Sequence, residues 1–546
     1  MLEVKVTFQP ASRSVCVLPG TLLTEAALRA GITLLQPCGG VGVCGKCRVR
    51  ILQGDIKRES VCCDALSEDE MGGGWTLACQ TKVQSDIIID VPAESMMEHC
   101  HKILESDSGQ NTFTIKPLND SPDALGIAFD IGTTTVVGSL FSLAAGKEKG
   151  VMSRMNPQIC YGDDVISRIH RIREKPETLN DMQTAIVDTI NEILINLCEE
   201  NDLTANDVHE ISAAGNSTMQ QILCGFDPSP LGEMPFKQAF QEAQLIRAND
   251  VGISANRDAT LYVLPQIGGF IGGDTVAGMI ATRIDSHEKP VLLVDIGTNG
   301  EIVLAAKDGI FATSTAAGPA FEGARISQGM RAVAGAIEKI IIDDYVMFNV
   351  IGNVKPSGLC GTALIDIAAD LLDKGIIDET GLIVDREDAP AELPDSLRSR
   401  IVEKDEQAAF IIVHAEATST GEPIFLTQRD VRELQLATGA IRAGINILLK
   451  NAGLSYTDLD AIFLAGAFGN FIRRNKACRI GLLPSIPHER IRFIGNAASL
   501  GAKFTLLSSD ERDYAETIRK KATHVDLSLD TDFQMEFSEA MIFPVS

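Results

Sequence analysis

Between Pro37 and Cys47 the chain reads Pro-Cys-Gly-Gly-Val-Gly-Val-Cys-Gly-Lys-Cys, and one further cysteine, Cys79, follows inside Leu77-Ala78-Cys79-Gln80. No other stretch restricts the possible folds so tightly. Cys38, Cys44, Cys47 and the distant Cys79 have the spacing of plant-type [2Fe-2S] ligands, except that the first gap is five residues rather than four. Glycines suit such a loop, because backbone N–H groups must come close to the sulfurs, often at positive φ. A structural zinc site is the plainer alternative, but such sites favour paired C-x2-C units.

The flanks read as a β-grasp ferredoxin. Leu2 to Phe8 alternates apolar and polar side chains, as a half-buried strand does. Val15 to Leu18 is a second strand ended by Pro19-Gly20, and Thr21 can cap a helix from Leu22 to Ala30. Strands follow at Cys47 to Leu52 and Ile87 to Val91. Cys62 and Cys63 stand as alternative ligands, but the Leu-Ala-Cys-Gln setting favours Cys79. Trp75, the single tryptophan, is expected to shield the cluster edge.

Composition excludes several classes. A formal net charge of −26 opposes nucleic acid and anionic membrane surfaces. Thirteen cysteines without disulfide-like pairing fit a reducing, cytoplasmic setting. The start has no signal-peptide character, and no apolar run is long enough to span a membrane.

Residues 1–92 are therefore read as the ferredoxin, 93–125 as a polar, turn-rich linker, and 126–546 as an α/β unit. A short helix from Ser95 to Leu104 carries His99, Cys100 and His101. Adjacent helical positions do not face one way, so these are read as solvated rather than metal-binding. Asn180 to Cys198 shows a helical apolar face.

Two segments of the α/β unit mirror each other. One is Ile127-Ala-Phe-Asp130-Ile-Gly132-Thr133-Thr134-Thr135; the other is Val291-Leu-Leu-Val-Asp295-Ile-Gly297-Thr298-Asn299-Gly-Glu301. Each is an apolar strand, an Asp, a Gly-Thr turn and a second strand. The glycine lets the backbone approach a phosphate, the hydroxyls and N–H groups donate to it, and the Asp can hold Mg²⁺ through water. A third strand ends in Gly466-Ala-Phe-Gly469, a flat surface for a purine. No Gly-x4-Gly-Lys-[Ser/Thr] is present, which excludes a P-loop.

These three motifs, in this order, resemble the actin, Hsp70 and sugar-kinase (ASKHA) superfamily, with duplicated lobes at about 126–290 and 291–546. A [2Fe-2S] ferredoxin fused to such an ATPase resembles the reductive activators of corrinoid-dependent methyltransferase systems. Further signs are Asn156-Pro-Gln with Tyr161-Gly-Asp-Asp164 and Arg168, Ala214-Gly-Asn216-Ser-Thr218, Gly268-Gly-Phe-Ile-Gly-Gly-Asp274, and Ala317-Gly318-Pro-Ala-Phe-Glu322. A small extra domain of some relatives is expected to be absent, because the first phosphate motif follows the linker directly.

The resemblance implies a homodimer that accepts an electron from a low-potential donor. It returns that electron, with ATP, to the stalled Co(II) form of a corrinoid protein. It also implies roles. Cys38, Cys44, Cys47 and Cys79 hold the cluster; Asp130 and Asp295 position Mg²⁺. Gly132 to Thr135, Gly297 to Asn299 and Gly318 cradle phosphates, and Gly466 and Gly469 seat the adenosine. Glu301, Glu322 and Asp274 are unranked candidates for orienting the attacking water. Asp163, Asp164 and Arg168 read as a structural ion pair or part of a site, and Ala317 to Gly323 as packing or function alike. The rivals are a small-molecule kinase with a regulatory ferredoxin, a non-enzymatic scaffold, and an ATP-driven reductase of another low-potential metalloprotein.

Overall fold

The computed structural model describes residues 3–10, 12–30, 32, 34, 45, 47–54, 56–58, 65–66, 68–92, 95, 115–119, 121, 123–466 and 472–545. Cys38, Cys44, Cys62, Cys63, Gly469 and the segment with His99, Cys100 and His101 lie outside the described residues.

Alternation decides the first strand. In Val4–Gln9 the side chains of Val4, Val6 and Phe8 are buried while Lys5 is exposed, as period-two patterning requires. This strand pairs antiparallel with Arg13–Val17 and parallel with Ile87–Asp90. Arg48–Gln53 and Trp75–Leu77 complete a five-stranded sheet. Helix Leu23–Arg29 closes one face with Leu23, Ala26 and Ala27, giving the expected β-grasp. Trp75 stands opposite Arg50 and packs on this core.

Beyond the ferredoxin lie two six-stranded sheets. In the first, Leu125–Ile131 pairs antiparallel with Thr135–Ser142, which pairs with Lys147–Met155; on its other side it pairs parallel with Val208–Gly215, next to Thr260–Val263. In the second, Val291–Ile296 pairs with Gly300–Ala306, then Gly309–Thr315; on its other side come the parallel strands Ala461–Ala465 and Ile491–Gly495. The two five-strand patterns have the same order and directions, which is the duplication of an ASKHA fold. The antiparallel hairpin at the head of each repeat carries an Asp and its Gly-Thr turn.

The lobes are not split cleanly along the sequence. Helices Ala497–Leu507 and Ser509–Lys521 return to the first lobe. There the Ser212 and Thr505 hydroxyls meet at 2.8 Å, Arg512 pairs with Glu210 at 3.0 Å, and Lys503 pairs with Glu148 at 2.8 Å. A single core combines Ala128, Ala214 and Ile280 with Leu293, Phe463 and Leu506. The last stretch of the expected linker is also docked: Lys116 bridges to Ser508 and pairs with Asp510.

Candidate functional site

Both phosphate turns close in the same way. Gly132 N–H donates to Thr135 O at 3.0 Å, and Gly297 N–H donates to Asn299 O at 3.1 Å. Each holds a tight loop at the end of an apolar strand, with the hydroxyls of Thr133, Thr134 and Thr298 left near the interlobe cleft. The first turn is held from behind by residues that the sequence singled out only as family signs. Asn156 Nδ2 donates to Gly132 O at 2.9 Å, Asn216 Nδ2 donates to Thr133 Oγ1 at 3.1 Å, and Arg168 Nη2 donates to Thr133 O at 2.6 Å.

Arg168 corrects an expectation. It forms no ion pair with Asp163 or Asp164. Its guanidinium is fully buried and donates to Gly162 O, Gln158 Oε1 and Thr133 O. Asp164 instead caps helix Val165–Glu174 by accepting from Ser167 N–H at 2.7 Å. A cation sealed among carbonyl groups fixes backbone more firmly than a solvated pair would.

One cavity of about 1290 Å³ lies between the lobes. Its wall brings together Asp130, Gly132 to Thr135, Asp274, Asp295, Gly297 to Asn299, Glu301, Glu322 and Gly466. Gly318 is not on the wall. It sits at φ +77° and donates from its N–H to Thr298 O at 2.9 Å, bracing the second turn. The Thr298 hydroxyl donates to Glu322, so that carboxylate also braces the turn. Gly466 is required as glycine: its φ is +95°, and a Cβ there would lie 2.7 Å from Asp295 Oδ1.

Four of the carboxyl groups on this cavity, Asp130, Asp274, Asp295 and Glu301, are held above their ordinary values. Burial, partly offset by a hydrogen bond from Asn496, pushes Asp130 up to about 6. Burial, with the Asp130 charge adding and the Thr275 N–H opposing, pushes Asp274 to about 6. Burial and then the charges of Asp274 and Asp130 push Asp295 to about 7. Glu301 stands opposite Asp295 across the hairpin and lies well above the ordinary carboxylate range, through burial first and then Asp274 and Asp295. Such crowding is unfavourable without a cation. Among the described residues, no group of three or more His, Cys, Asp or Glu side chains could hold a metal ion directly. The crowded carboxyl groups fit a Mg²⁺ held through its water shell.

Asn496 was missed from the sequence. Its Nδ2 donates to Asp130 Oδ2 at 2.6 Å while its Oδ1 caps helix Ala497–Leu507 by accepting from Ser499 N–H at 2.8 Å. The available signal was Gly495-Asn496 at the end of a strand, the same pair as Gly215-Asn216.

In the ferredoxin, Cys47 and Cys79 are buried and their sulfurs lie 3.2 Å apart, although 32 residues separate them. Two thiols converging from distant positions fit thiolate ligation of a shared metal centre. No disulfide joins them. Cys79 also lies on the wall of the interlobe cavity.

A ferredoxin module seated on a two-lobed ASKHA fold is the class these features define. Family models agree along the chain: a 2Fe-2S iron-sulfur cluster binding domain matches residues 6–84, the RACo middle region residues 125–287, and the C-terminal ASKHA domain of RACo residues 289–546. The corrinoid activation enzyme RamQ of Eubacterium limosum is 32% identical over 97% of this chain and 97% of its own length. A [Co(II) methylated amine-specific corrinoid protein] reductase of Methanosarcina barkeri is 26% identical over 73% of each chain. A solved reductive activator for corrinoid,iron-sulfur protein superposes with a TM-score of 0.70 at 30% identity, over 99% of this chain and 98% of that one. The chain belongs to the RACo family of ferredoxin–ASKHA fusion proteins.

Proposed function

We propose that the protein is an ATP-dependent reductive activator of a corrinoid protein, returning its cobalt from Co(II) to Co(I). The observation that carries this is the interlobe cavity, on which Cys79 shares a wall with both phosphate turns. An electron-carrying module and a nucleotide cleft that meet in one space are arranged for coupling. The relatives, which act on corrinoid proteins, support the corrinoid partner.

The cluster, when bound, supplies a single electron at a potential near about −400 mV, as plant-type centres do. For an acceptor of lower potential, each ~59 mV costs a factor of ten in equilibrium for one electron. That uphill step is the reason for involving ATP. Asp130 and Asp295 hold the hydrated Mg²⁺ of the nucleotide. Asn496 keeps the Asp130 carboxylate oriented. Gly132 to Thr135 and Gly297 to Asn299 hold the phosphates, and Gly466 leaves room for the nucleoside. Glu322 is taken up by Thr298, and Asp274 accepts from the N–H at the start of its own helix, at 2.7 Å from Thr275 N. Glu301, which accepts a long 3.3 Å bond from Ser314 and one from its own backbone N–H, is our assignment for orienting the attacking water. Cys38, Cys44, Cys47 and Cys79 hold the cluster.

The test is anaerobic mixing of the reduced protein with a Co(II) corrinoid protein, with and without ATP, followed by visible absorption. Co(I) should form faster and further with ATP. Formation that ignores ATP would refute the coupling, and phosphoryl transfer to a metabolite would favour a kinase.

A further inference from the structure

The ferredoxin is seated on the C-terminal lobe. Its helix Leu23–Arg29 meets two adjacent residues of strand Ala336–Ile342. Arg29 pairs with Glu338 at 2.6 Å, and Lys339 pairs with Glu25 while donating to the Thr21 hydroxyl at 3.4 Å. Asn349, on the next strand, donates to Glu3 at 3.0 Å. The side chains of Arg29, Glu338 and Lys339 are 12%, 17% and 13% exposed and that of Glu25 is 36% exposed, so solvent screens the Arg29–Glu338 pair far less than a surface one and reaches the Lys339–Glu25 pair from the glutamate side. Removing one partner of such a pair leaves the other charge buried and uncompensated.

This seat opens onto the nucleotide cavity. Leu22, Arg29, Cys79, Gln80 and Lys82 of the ferredoxin line the same space as the phosphate turns opposite. At about 1290 Å³, the space exceeds the roughly 300–1,000 Å³ of ordinary small-molecule sites. That volume leaves room for a nucleotide and its hydrated cation with the ferredoxin docked. Arg29 Nη1 is buried without a hydrogen-bond partner, although Nη2 of the same guanidinium is paired. Arg29 and Lys82 line the cavity together with Glu25 and Glu338, so this wall carries charges of both signs. Arg473 links seat and cleft: it lines the cavity, donates to Ile340 O at 3.2 Å, and lies 3.5 Å from Asp366.

We propose that the docked ferredoxin is the outer wall of the nucleotide site, closing over the bound nucleotide, so that ferredoxin docking and nucleotide retention stabilise one another. This rests on the nucleotide-dependent function proposed above and specifies its regulation. Coupling of this kind is reciprocal: the factor that docking adds to nucleotide affinity is the factor that nucleotide adds to docking. Loss of nucleotide then loosens the ferredoxin and lets the Cys79 side turn away from the cleft.

The experiment measures release of N-methylanthraniloyl-ADP by stopped flow from the iron-loaded, full-length protein. Glu25→Lys and Lys339→Glu should each release it at least about 5-fold faster than the parent, the low end of typical coupling factors. The double variant, with the charges exchanged, should return to near the parent rate. Glu25→Lys should keep its iron content and visible spectrum, which separates undocking from unfolding of the ferredoxin. Parent-like release from both single variants would overturn the inference, as would faster release that the exchange does not correct. A parent protein that binds no nucleotide at all would instead remove the proposed function itself.

Discussion

Replacing Asp295 by Asn should make the nucleotide-free protein more stable and at the same time inactive. The carboxyl moves from an ordinary 3.8 to about 7 through burial and then the charges of Asp274 and Asp130. Every tenfold change in acidity is worth about 1.4 kcal/mol, so the whole difference is about 4 kcal/mol. Asp295 looks into a cavity that water reaches, and screening brings the expected figure to about 1–3 kcal/mol. The sign follows from linkage. A value raised on folding contributes stability that is complete below the unfolded value of 3.8 and is lost as the pH rises through about 7. Asparagine keeps the neutral shape and never ionises. Its advantage is therefore full at pH 8 and only roughly a third as large at pH 5.

Thermal unfolding of the C-terminal lobes at the two pH values, with and without Mg-ATP, reads this directly. Saturating ligand at about 100 times its Kd adds about 2.7 kcal/mol to a protein that binds it, so Mg-ATP should reverse the order of parent and variant. Phosphate release by the variant should fall at least about 10²-fold, as on losing a well-placed electrostatic group. Reduction of a Co(II) corrinoid partner should fail, while the visible spectrum of the cluster stays unchanged. Equal stability of parent and variant at pH 8, or hydrolysis within tenfold of the parent, would refute the carboxylate-cluster argument.

Other outcomes follow from particular contacts. Cys79→Ser should lose or badly perturb the iron EPR signal, whereas Cys62→Ser and Cys63→Ser should leave it unchanged; the reverse pattern would show that the ligand set is misassigned. Arg168→Met should cost about 2–4 kcal/mol by stranding buried carbonyl groups, and should weaken nucleotide binding more than it lowers the turnover of bound nucleotide. Gly466→Ala forces a Cβ against Asp295 at a left-handed φ, a strain of about 1–2 kcal/mol before any clash, and titration should show weakened Mg-ATP binding with the iron spectrum intact. A fragment starting near Ser121 should fold and bind ATP without iron, but release the nucleotide faster than the full chain.

The parts legible in the sequence are those whose chemistry is local. The cysteine loop announces itself because ligand spacing within ten residues is a property of the chain. The two Asp-Ile-Gly-Thr hairpins do so because strand, turn and strand are adjacent, and their repetition foretold the duplicated lobes. Alternation in Val4–Gln9 and the helical face of Thr178–Glu199 place the core for the same reason. What holds these pieces in working positions was not legible. Asn496 reaches Asp130 across 366 residues, and Lys339 reaches Glu25 across 314. Arg168 read as half of a structural ion pair or as part of a site, since Asp163 and Asp164 stand nearby in the chain; only its burial against Thr133 and Gly162 shows it bracing a phosphate turn. Sequence patterning specifies which side chains must leave water and which turns must form. The pairing of distant polar groups is decided later, when packing has removed the solvent that would otherwise satisfy them.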